Sequence, residues 1–317
     1  MPFNLRQDAL KPERLTGGHR MCAGCGAPVT VRAILRALKP EDKAVICSAT
    51  GCLEVSTFMY PYTAWNDSFI HSAFENAGAT IAGVEAAYNA MKKTGKIPAD
   101  TETKFIAFGG DGGTYDIGLQ SLSGAMERGH DMVYVCYDNG AYMNTGIQRS
   151  SATPRFADTT TSPAGKVVPG KQQQRKDLTM VMAAHHLPYV AQTTFVSSKL
   201  GGFKDLHNKA EKAIYTKGAC FLNVLAPCPR GWRYDTAKLV EMTTIAVETC
   251  VWPLYEIEDG KLTLTYIPKE KKPVEEYLKA QGRFRHIFKA GNEWMIEEIQ
   301  KEVDAVWEDL LNRNETK

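Results

Sequence analysis

The stretch from Phe105 to Gly146 constrains the fold more than any other part of this chain. It reads Phe-Ile-Ala-Phe-Gly-Gly-Asp-Gly-Gly-Thr-Tyr-Asp-Ile-Gly, then a helix-length segment, then Val-Tyr-Val-Cys-Tyr-Asp-Asn-Gly-Ala-Tyr-Met-Asn-Thr-Gly. Lys104–Phe108 and Met132–Tyr137 are short, apolar and β-rich, bounded by glycine or charge, which is the pattern of buried strands. Each ends in a turn carrying a small polar residue, Asp111 after the first and Asn139 after the second. The 28 positions between these two residues hold one strand–helix–strand crossover. In such a unit both turns fall at the carboxyl edge of a parallel sheet, where α/β folds bind ligands. One carboxylate, one amide oxygen and one backbone carbonyl make a hard oxygen site, suited to Mg²⁺ with phosphate oxygens as its remaining ligands. Gly110, Gly112 and Gly113 let backbone N–H groups approach a diphosphate closely, beside a helix N-terminus near Asp116. The plain alternative is an ordinary βαβ unit with glycine turns.

The 317 residues are enough for one large domain or two smaller ones. A net charge of +2 gives no global field that favours nucleic acid or a membrane surface. No apolar run approaches the roughly 18 residues of a transmembrane helix. Met1–Arg20 is polar and lacks a signal-peptide apolar core. A cytoplasmic location is therefore expected, and eight cysteines there point to metal binding rather than disulfides. No repeat or low-complexity segment stands out. The tract from Ser150 to Asp177, rich in Ser, Thr, Pro, Gly, Gln and Lys, reads as a long functional or mobile loop.

The cysteines fall into two groups. Met21-Cys22-Ala23-Gly24-Cys25-Gly26 is a metal-knuckle turn, with glycines that let backbone N–H groups face sulfur. A helix is expected at Pro28–Leu38, and its N-terminal dipole favours a negatively charged thiolate site. Cys52 follows the strand Lys43–Ser48, in Ala49-Thr50-Gly51-Cys52. Cys228 follows the strand Cys220–Leu225, in Ala226-Pro227-Cys228-Pro229. Cys47, Cys136, Cys220 and Cys250 sit in apolar runs and read as packing residues. Strand ends on one sheet converge, so Cys22, Cys25, Cys52 and Cys228 can share one centre, either structural Zn²⁺ or a [4Fe–4S] cluster. A structural zinc site more often uses two local Cys-x-x-Cys pairs. Ligands scattered over strand ends beside a cofactor turn favour the redox reading.

Elsewhere residues 1–20 read as a polar arm draped over a neighbour. Residues 53–70 read as an aromatic, irregular segment. Helices are expected at Ser72–Lys93, Lys176–His186, Gly202–Thr216 and 237–250, with a strand at Tyr189–Thr194. His71 would precede the first of these helices, as a ligand contact or a plain cap-region residue. A hairpin is expected around Glu258-Asp259-Gly260-Lys261, then a charged amphipathic helix at Gly291–Leu311. The expected domain of residues 21–235 thus carries an interaction extension at 236–317.

Gly-Asp-Gly followed at this spacing by Asp-Asn-Gly resembles the diphosphate-anchoring motif of thiamine diphosphate enzymes. Together with the scattered cysteines it resembles the β subunit of pyruvate:ferredoxin oxidoreductase and related 2-oxoacid:ferredoxin oxidoreductases. The matching text is Met21–Gly26, Ala49–Cys52, Gly110–Gly112, Tyr115–Gly118, Ala141–Pro154 and Ala226–Trp232; it spans most of residues 15–235 and continues weakly to about 288. The resemblance implies an α/β thiamine diphosphate-binding fold of the diphosphate type, mostly parallel, with helices on both faces. It implies Cys22, Cys25, Cys52 and Cys228 as ligands of one [4Fe–4S] cluster, and Asp111, Asn139 and the Ala141 carbonyl as Mg²⁺ ligands. Thiamine diphosphate contacts are expected from Gly110, Gly112, Gly113, Thr50, Gly51 and Thr145. Asn144 is expected beside the reacting thiazolium as a catalytic polar group.

The implied activity is oxidative decarboxylation of a 2-oxoacid, most plausibly pyruvate, to acyl-CoA and CO₂, with electrons passing through the cluster to ferredoxin. The implied partners are α (pyrimidine-domain), γ and ferredoxin-like δ subunits or fused equivalents, with coenzyme A and the 2-oxoacid as substrates. The pyrimidine-activating glutamate would come from another subunit. Three alternatives stand beside this reading. One is a branched-chain, aromatic or oxalate-type substrate. The second is a non-redox thiamine decarboxylase or synthase with a structural Cys₄ zinc. The third is a non-catalytic metal-binding assembly subunit, against which the spacing of Asp111 and Asn139 argues.

Overall fold

A computed structural model describes residues 3–315. Its centre is an eight-stranded sheet. The strands are β1 (Lys43–Ala49), β4 (Ser68–Ser72), β5 (Thr103–Gly110), β6 (Met132–Asp138), β7 (Tyr189–Thr193), β8 (Ala219–Leu225), β9 (Tyr255–Glu258) and β10 (Lys261–Leu264). Two further two-residue strands, β2 (Phe58–Met59) and β3 (Tyr62–Thr63), form a small separate ribbon. The order across the large sheet is β10-β9-β7-β8-β6-β5-β1-β4. The six strands from β7 to β4 pair in parallel, and β9 and β10 add an antiparallel edge. Strands β6, β7 and β8 are buried on both faces, as an α/β sheet covered by helices requires.

Helices cover both faces. Gly26–Leu35 and Lys204–Tyr215 pack Val31, Ile34, Leu206 and Ala210 into one core layer. Ala77–Lys93, Leu119–Glu127 and Glu293–Arg313 pack Ile81, Leu122, Trp307 and Leu310 into the opposite one. A third cluster, around Trp232, Trp252, Tyr277 and Phe284, joins the C-terminal segment to the end of β8.

Register positions the site. Gly110 of β5 pairs with Tyr137 of β6, and Asp138 of β6 pairs with Leu225 of β8. Ser48 of β1 pairs with Phe108 of β5. Four adjacent strands therefore leave the sheet at one edge, carrying Thr50–Cys52, Asp111, Asn139 and Cys228.

Several elements differ from the sequence reading. The segment expected to be irregular forms a helix at Cys52–Thr57, the ribbon, and the parallel edge strand β4, which holds His71 inside a strand rather than before a helix. The next helix starts only at Ala77. Near Asp116 the backbone forms a wide turn over Gly112–Ile117 before the helix Leu119–Glu127 begins. Within it only glycine fits at position 113, where a Cβ would stand 2.9 Å from the Phe74 carbonyl oxygen. Such wide turns concentrate at functional sites. The N-terminal arm lies on its own chain. Leu15 is fully buried, Thr16 N–H donates to the Ala64 carbonyl at 2.8 Å, and Arg14 pairs with Asp67 at 2.6 Å. The expected hairpin extends the main sheet, pairing β9 with β7. Among the described residues no helix is long and apolar enough to cross a membrane.

Trp307 sits in the core layer on that face and is 7% exposed. Trp307→Ala is expected to destabilise the protein by about 3–5 kcal/mol, the usual range for a large aromatic removed from a core. Thermal denaturation followed by circular dichroism would show it as a lowered midpoint; an unchanged midpoint would mean the C-terminal helix is not part of the cooperative unit.

Candidate active site

Asp111 lies fully buried where β5 ends. Ser150 Oγ donates to its Oδ2 at 2.5 Å, and the Asn139 backbone N–H donates to its Oδ1 at 3.3 Å. Burial, and after it the nearby Asp138 carboxylate, push the Asp111 carboxyl well above the ordinary carboxylate range. An ionised Asp111 therefore calls for a cation. The Asn139 amide shows where one would sit. One of its terminal atoms stands 2.8 Å from the Ala141 carbonyl oxygen and 3.0 Å from Asp111 Oδ1. Without a cation that atom is the nitrogen, donating to both oxygens. With a cation among the three groups it is the oxygen. Neighbouring oxygens around an octahedral Mg²⁺, at about 2.1 Å from the metal, stand about 3 Å apart. The donor set and its spacing fit that ion.

Above these oxygens lies a small cleft lined by Thr50, Gly51, Gly110, Gly112, Gly113, Asn139, Ala141, Asn144 and Thr145, with Cys52 and Phe74 at its sides. Nine of the ten sequence-expected cofactor residues share this one space, and the tenth, Asp111, lies beneath it. Asn144 and Thr145 are exposed at the mouth. They sit at the tip of a narrow loop closed by two backbone hydrogen bonds between Tyr142 and Gln148, at 2.9 and 3.0 Å. Thr145 turns its hydroxyl to Gln148. Thr50 Oγ1 donates to the Ser72 carbonyl at 3.1 Å and lies 3.0 Å from His71 Nε2, so His71 touches the rim through Thr50.

The cysteine segments meet beside this cleft. Gly26 N–H donates to the Pro227 carbonyl at 2.9 Å, and Tyr234 Oη donates to the Gly24 carbonyl at 2.8 Å. A Cβ on Gly26 would stand 2.7 Å from Pro227 N, so only glycine lets the knuckle lie this close to the Cys228 turn. Cys22, Cys25, Cys52 and Cys228 are all free thiols, near enough for each of the other three to bear on the acidity of Cys25. Burial pushes the Cys25 and Cys52 thiols up to about 12, so a metal centre would have to displace their protons. Among the described residues no three His, Cys, Asp or Glu side chains are grouped to bind a metal ion. The four thiols thus share a neighbourhood without closing on a common point. Cys47, by contrast, is fully buried within β1.

Sequence reasoning missed the supports of this site. Asp138, fully buried, pairs with Arg175 at 2.5 Å and accepts from Gly140 N–H at 3.0 Å. Arg175 also donates to Tyr115 Oη and lies over the rings of Tyr115 and Trp252. Lys171, 1% exposed, donates to the Ser151, Thr153 and Gln174 carbonyls, tying down the loop that brings Ser150 under Asp111. Burial, then the charges of Arg149 and Arg175, lower its ammonium to about 7. The clue in the sequence was three cations, Lys171, Arg175 and Lys176, in a tract otherwise read as an open loop.

Cleft and fold together define a thiamine diphosphate-binding domain: residues 49–224 match the family described as thiamine pyrophosphate enzyme, C-terminal TPP binding domain. The chain is 50% identical to pyruvate synthase subunit PorB of Thermotoga maritima, over 99% of this chain and 98% of that protein. It is 52% identical to the PorB subunit of Methanocaldococcus jannaschii, over 93% and 95%. Ketoisovalerate oxidoreductase subunit VorB of Pyrococcus furiosus is 40% identical over 98% and 97%. A solved 2-oxoglutarate:ferredoxin oxidoreductase from Magnetococcus marinus shares the fold, with a TM-score of 0.53 at 22% identity, over 69% of this chain and 68% of that one. The chain belongs to the PorB family of 2-oxoacid oxidoreductase subunits, and so works with partner subunits.

Two substitutions test the geometry. Asp111→Ala is expected to weaken retention of thiamine diphosphate and Mg²⁺ by more than about 100-fold. Ser150→Ala, which removes only an outer hydrogen bond, should weaken it by about 10–100-fold. Equilibrium dialysis with both ligands would measure this, and wild-type retention in Asp111→Ala would refute the site. Asn144→Ala should keep the cofactor but lower turnover by about 10²–10³, the effect of losing one well-placed polar group. An unchanged rate would reduce Asn144 to a turn residue.

Proposed function

We propose that this chain is the cofactor-bearing β subunit of a pyruvate synthase, a pyruvate:ferredoxin oxidoreductase that forms acetyl-CoA and CO₂ or runs the reverse reaction. The observation that carries the reading is the convergence of Asp111, Asn139 and the Ala141 carbonyl beneath a cleft whose side wall is Cys52. Asp111, Asn139 and the Ala141 carbonyl would hold Mg²⁺, and the backbone of Gly110–Gly113 would face the diphosphate. Thiamine diphosphate supplies the carbanion chemistry by which a 2-oxoacid loses CO₂. Asn144 presents an amide at the mouth of the cleft, where charge develops on the substrate. Thr50 and Gly51 hold the wall on the cysteine side, and His71 orients the Thr50 hydroxyl.

Cys22, Cys25, Cys52 and Cys228 would hold one [4Fe–4S] cluster, which supplies one-electron capacity beside the cleft. Around a single zinc, with bonds of about 2.3 Å, four thiolates would crowd to within about 4 Å of one another. Asn144 and Thr145 are exposed, which leaves the outer wall of the cleft to a partner. That partner would be an α subunit carrying the pyrimidine-activating glutamate; γ and ferredoxin-like δ subunits, or fused equivalents, would complete the enzyme, with ferredoxin as the acceptor. Pyruvate is favoured as substrate by the two PorB relatives at 50% and 52% identity over the 40% of VorB.

The test is low-temperature electron paramagnetic resonance of the whole complex, with iron, sulfide and zinc analysis. Cys52→Ser and Cys228→Ser are expected to lose or degrade one cluster signal while thiamine diphosphate stays bound. Cys47→Ser should keep the signal, with a destabilisation of about 1–3 kcal/mol from its buried hydroxyl. Zinc in place of that cluster's iron, or full iron content in both ligand variants, would sink the redox role of this chain. Faster turnover with 2-oxoisovalerate than with pyruvate would move the substrate to the branched-chain class.

A further inference from the structure

A second cavity lies behind the cofactor turn. Within Asp138–Ala141, Asn139 and Ala141 line the cofactor cleft, whereas Asp138 and Gly140 line a separate cavity of about 140 Å³. The C-terminal helix closes one side of it with Ile299, Val303 and Val306, and Trp232, Trp252 and Tyr277 give it an aromatic lining. Cavities with an apolar, aromatic lining and a few convergent polar groups take small molecules that combine an apolar body with one or two polar groups.

The charges around it are largely matched. Arg175 is bound to Asp138, and Arg155 to Glu302 and Glu298. Lys176 lies 4.0 Å from Asp116 and donates to the Tyr115 carbonyl. Arg283 differs from all of these. It is 2% exposed, lies 4.3 Å from the centre of the Trp232 ring, and donates through Nε to Gln281 Oε1 at 2.8 Å. Among the described residues it forms no ion pair with a carboxylate, and its Nη2 is buried with no hydrogen-bond partner. The Tyr277 hydroxyl also interacts with this guanidinium, but a buried Nη2 without an acceptor is unfavourable, and a carboxylate oxygen is its natural complement. Arg175 and Arg155 are already neutralised, and Asp177, which also lines the cavity and accepts from Met180 N–H at 3.0 Å, adds a carboxylate of its own; the single unmatched guanidinium therefore suits a monoanion better than a phosphate dianion.

We propose that this cavity is a binding site for a small aromatic or apolar monocarboxylate, distinct from the 2-oxoacid position in the cofactor cleft. The carboxylate sits on the free edge of Arg283 and the apolar body lies between the aromatic lining and the C-terminal helix.

The test is calorimetric titration of phenylacetate, and of neutral phenylacetamide, into the whole complex at saturating pyruvate. Phenylacetate is expected to bind with a submillimolar Kd, and phenylacetamide at least tenfold more weakly. Arg283→Gln should weaken phenylacetate at least tenfold and leave phenylacetamide unchanged. Val306→Trp, at a position 40% exposed on the C-terminal helix, fills the cavity without touching Arg283 and should abolish binding of both. It keeps the test decisive if Arg283→Gln fails to fold. Equal affinity for acid and amide, displacement by pyruvate, unchanged binding in Val306→Trp, or no binding at 5 mM would each overturn the proposal.

Discussion

The buried carboxylate of Asp111 is the group on which the site depends. A carboxylate at full burial is tolerated only when its charge is met. Here Ser150 and the Asn139 backbone meet part of it, and a cation among Asp111, Asn139 and the Ala141 carbonyl would meet the rest. Around this demand the neighbouring elements are arranged. The register of β5 against β6 sets the two turns side by side, and the long loop after Gly146 returns to place Ser150 beneath them. Lys171 and Arg175, both from that loop, then hold it against the sheet.

The tight packing of backbone segments is the second constraint. Gly113 lies against the Phe74 carbonyl, and Gly26 lies against the Ala226–Pro227 backbone. These two contacts bring the Gly110–Gly113 turn and the cysteine knuckle to the same edge of the sheet. One joins β5 to the start of the Ala77–Lys93 helix, and the other joins the N-terminal third of the chain to the end of β8. The cofactor cleft and the thiol group are therefore neighbours by construction, with Cys52 belonging to both.

The Asp138–Ala141 turn has two faces, and they serve different spaces. One carries the Asn139 amide and the Ala141 carbonyl beside Asp111; the other, through Gly140, lies against Arg283. Trp232 ties the faces together, since its indole N–H donates to the Asn139 carbonyl at 2.6 Å while its ring carries the Arg283 guanidinium. The C-terminal segment thus supports the site directly, although it supplies none of the residues that line the cofactor cleft.

Much of this was legible in the sequence because it rests on local patterns. Apolar strands ending in Gly-Asp-Gly and Asp-Asn-Gly, the Cys-x-x-Cys knuckle, and cysteines just past strand ends all state their placement within a few residues. Asp111, Asn139 and the four cysteines were named from those patterns, Ala141 and Asn144 from the resemblance alone, and the fold places them at one edge. The strand β4 was not legible, because Ser68–Ser72 is a short, half-exposed edge strand without apolar alternation, and pairing with β1 alone makes it a strand. Nor were Ser150, Lys171, Arg175 and Arg283. Each is a polar or charged residue whose role comes from what lies across from it, 39 positions from Asp111 for Ser150 and 37 from Asp138 for Arg175, and burial rather than composition gives it meaning. By itself the sequence determined which strand-end turns and cysteine segments come together at one edge of the sheet. Only the tertiary structure decided which charges are paired and which are left bare, because pairing depends on long-range contacts that no local pattern encodes.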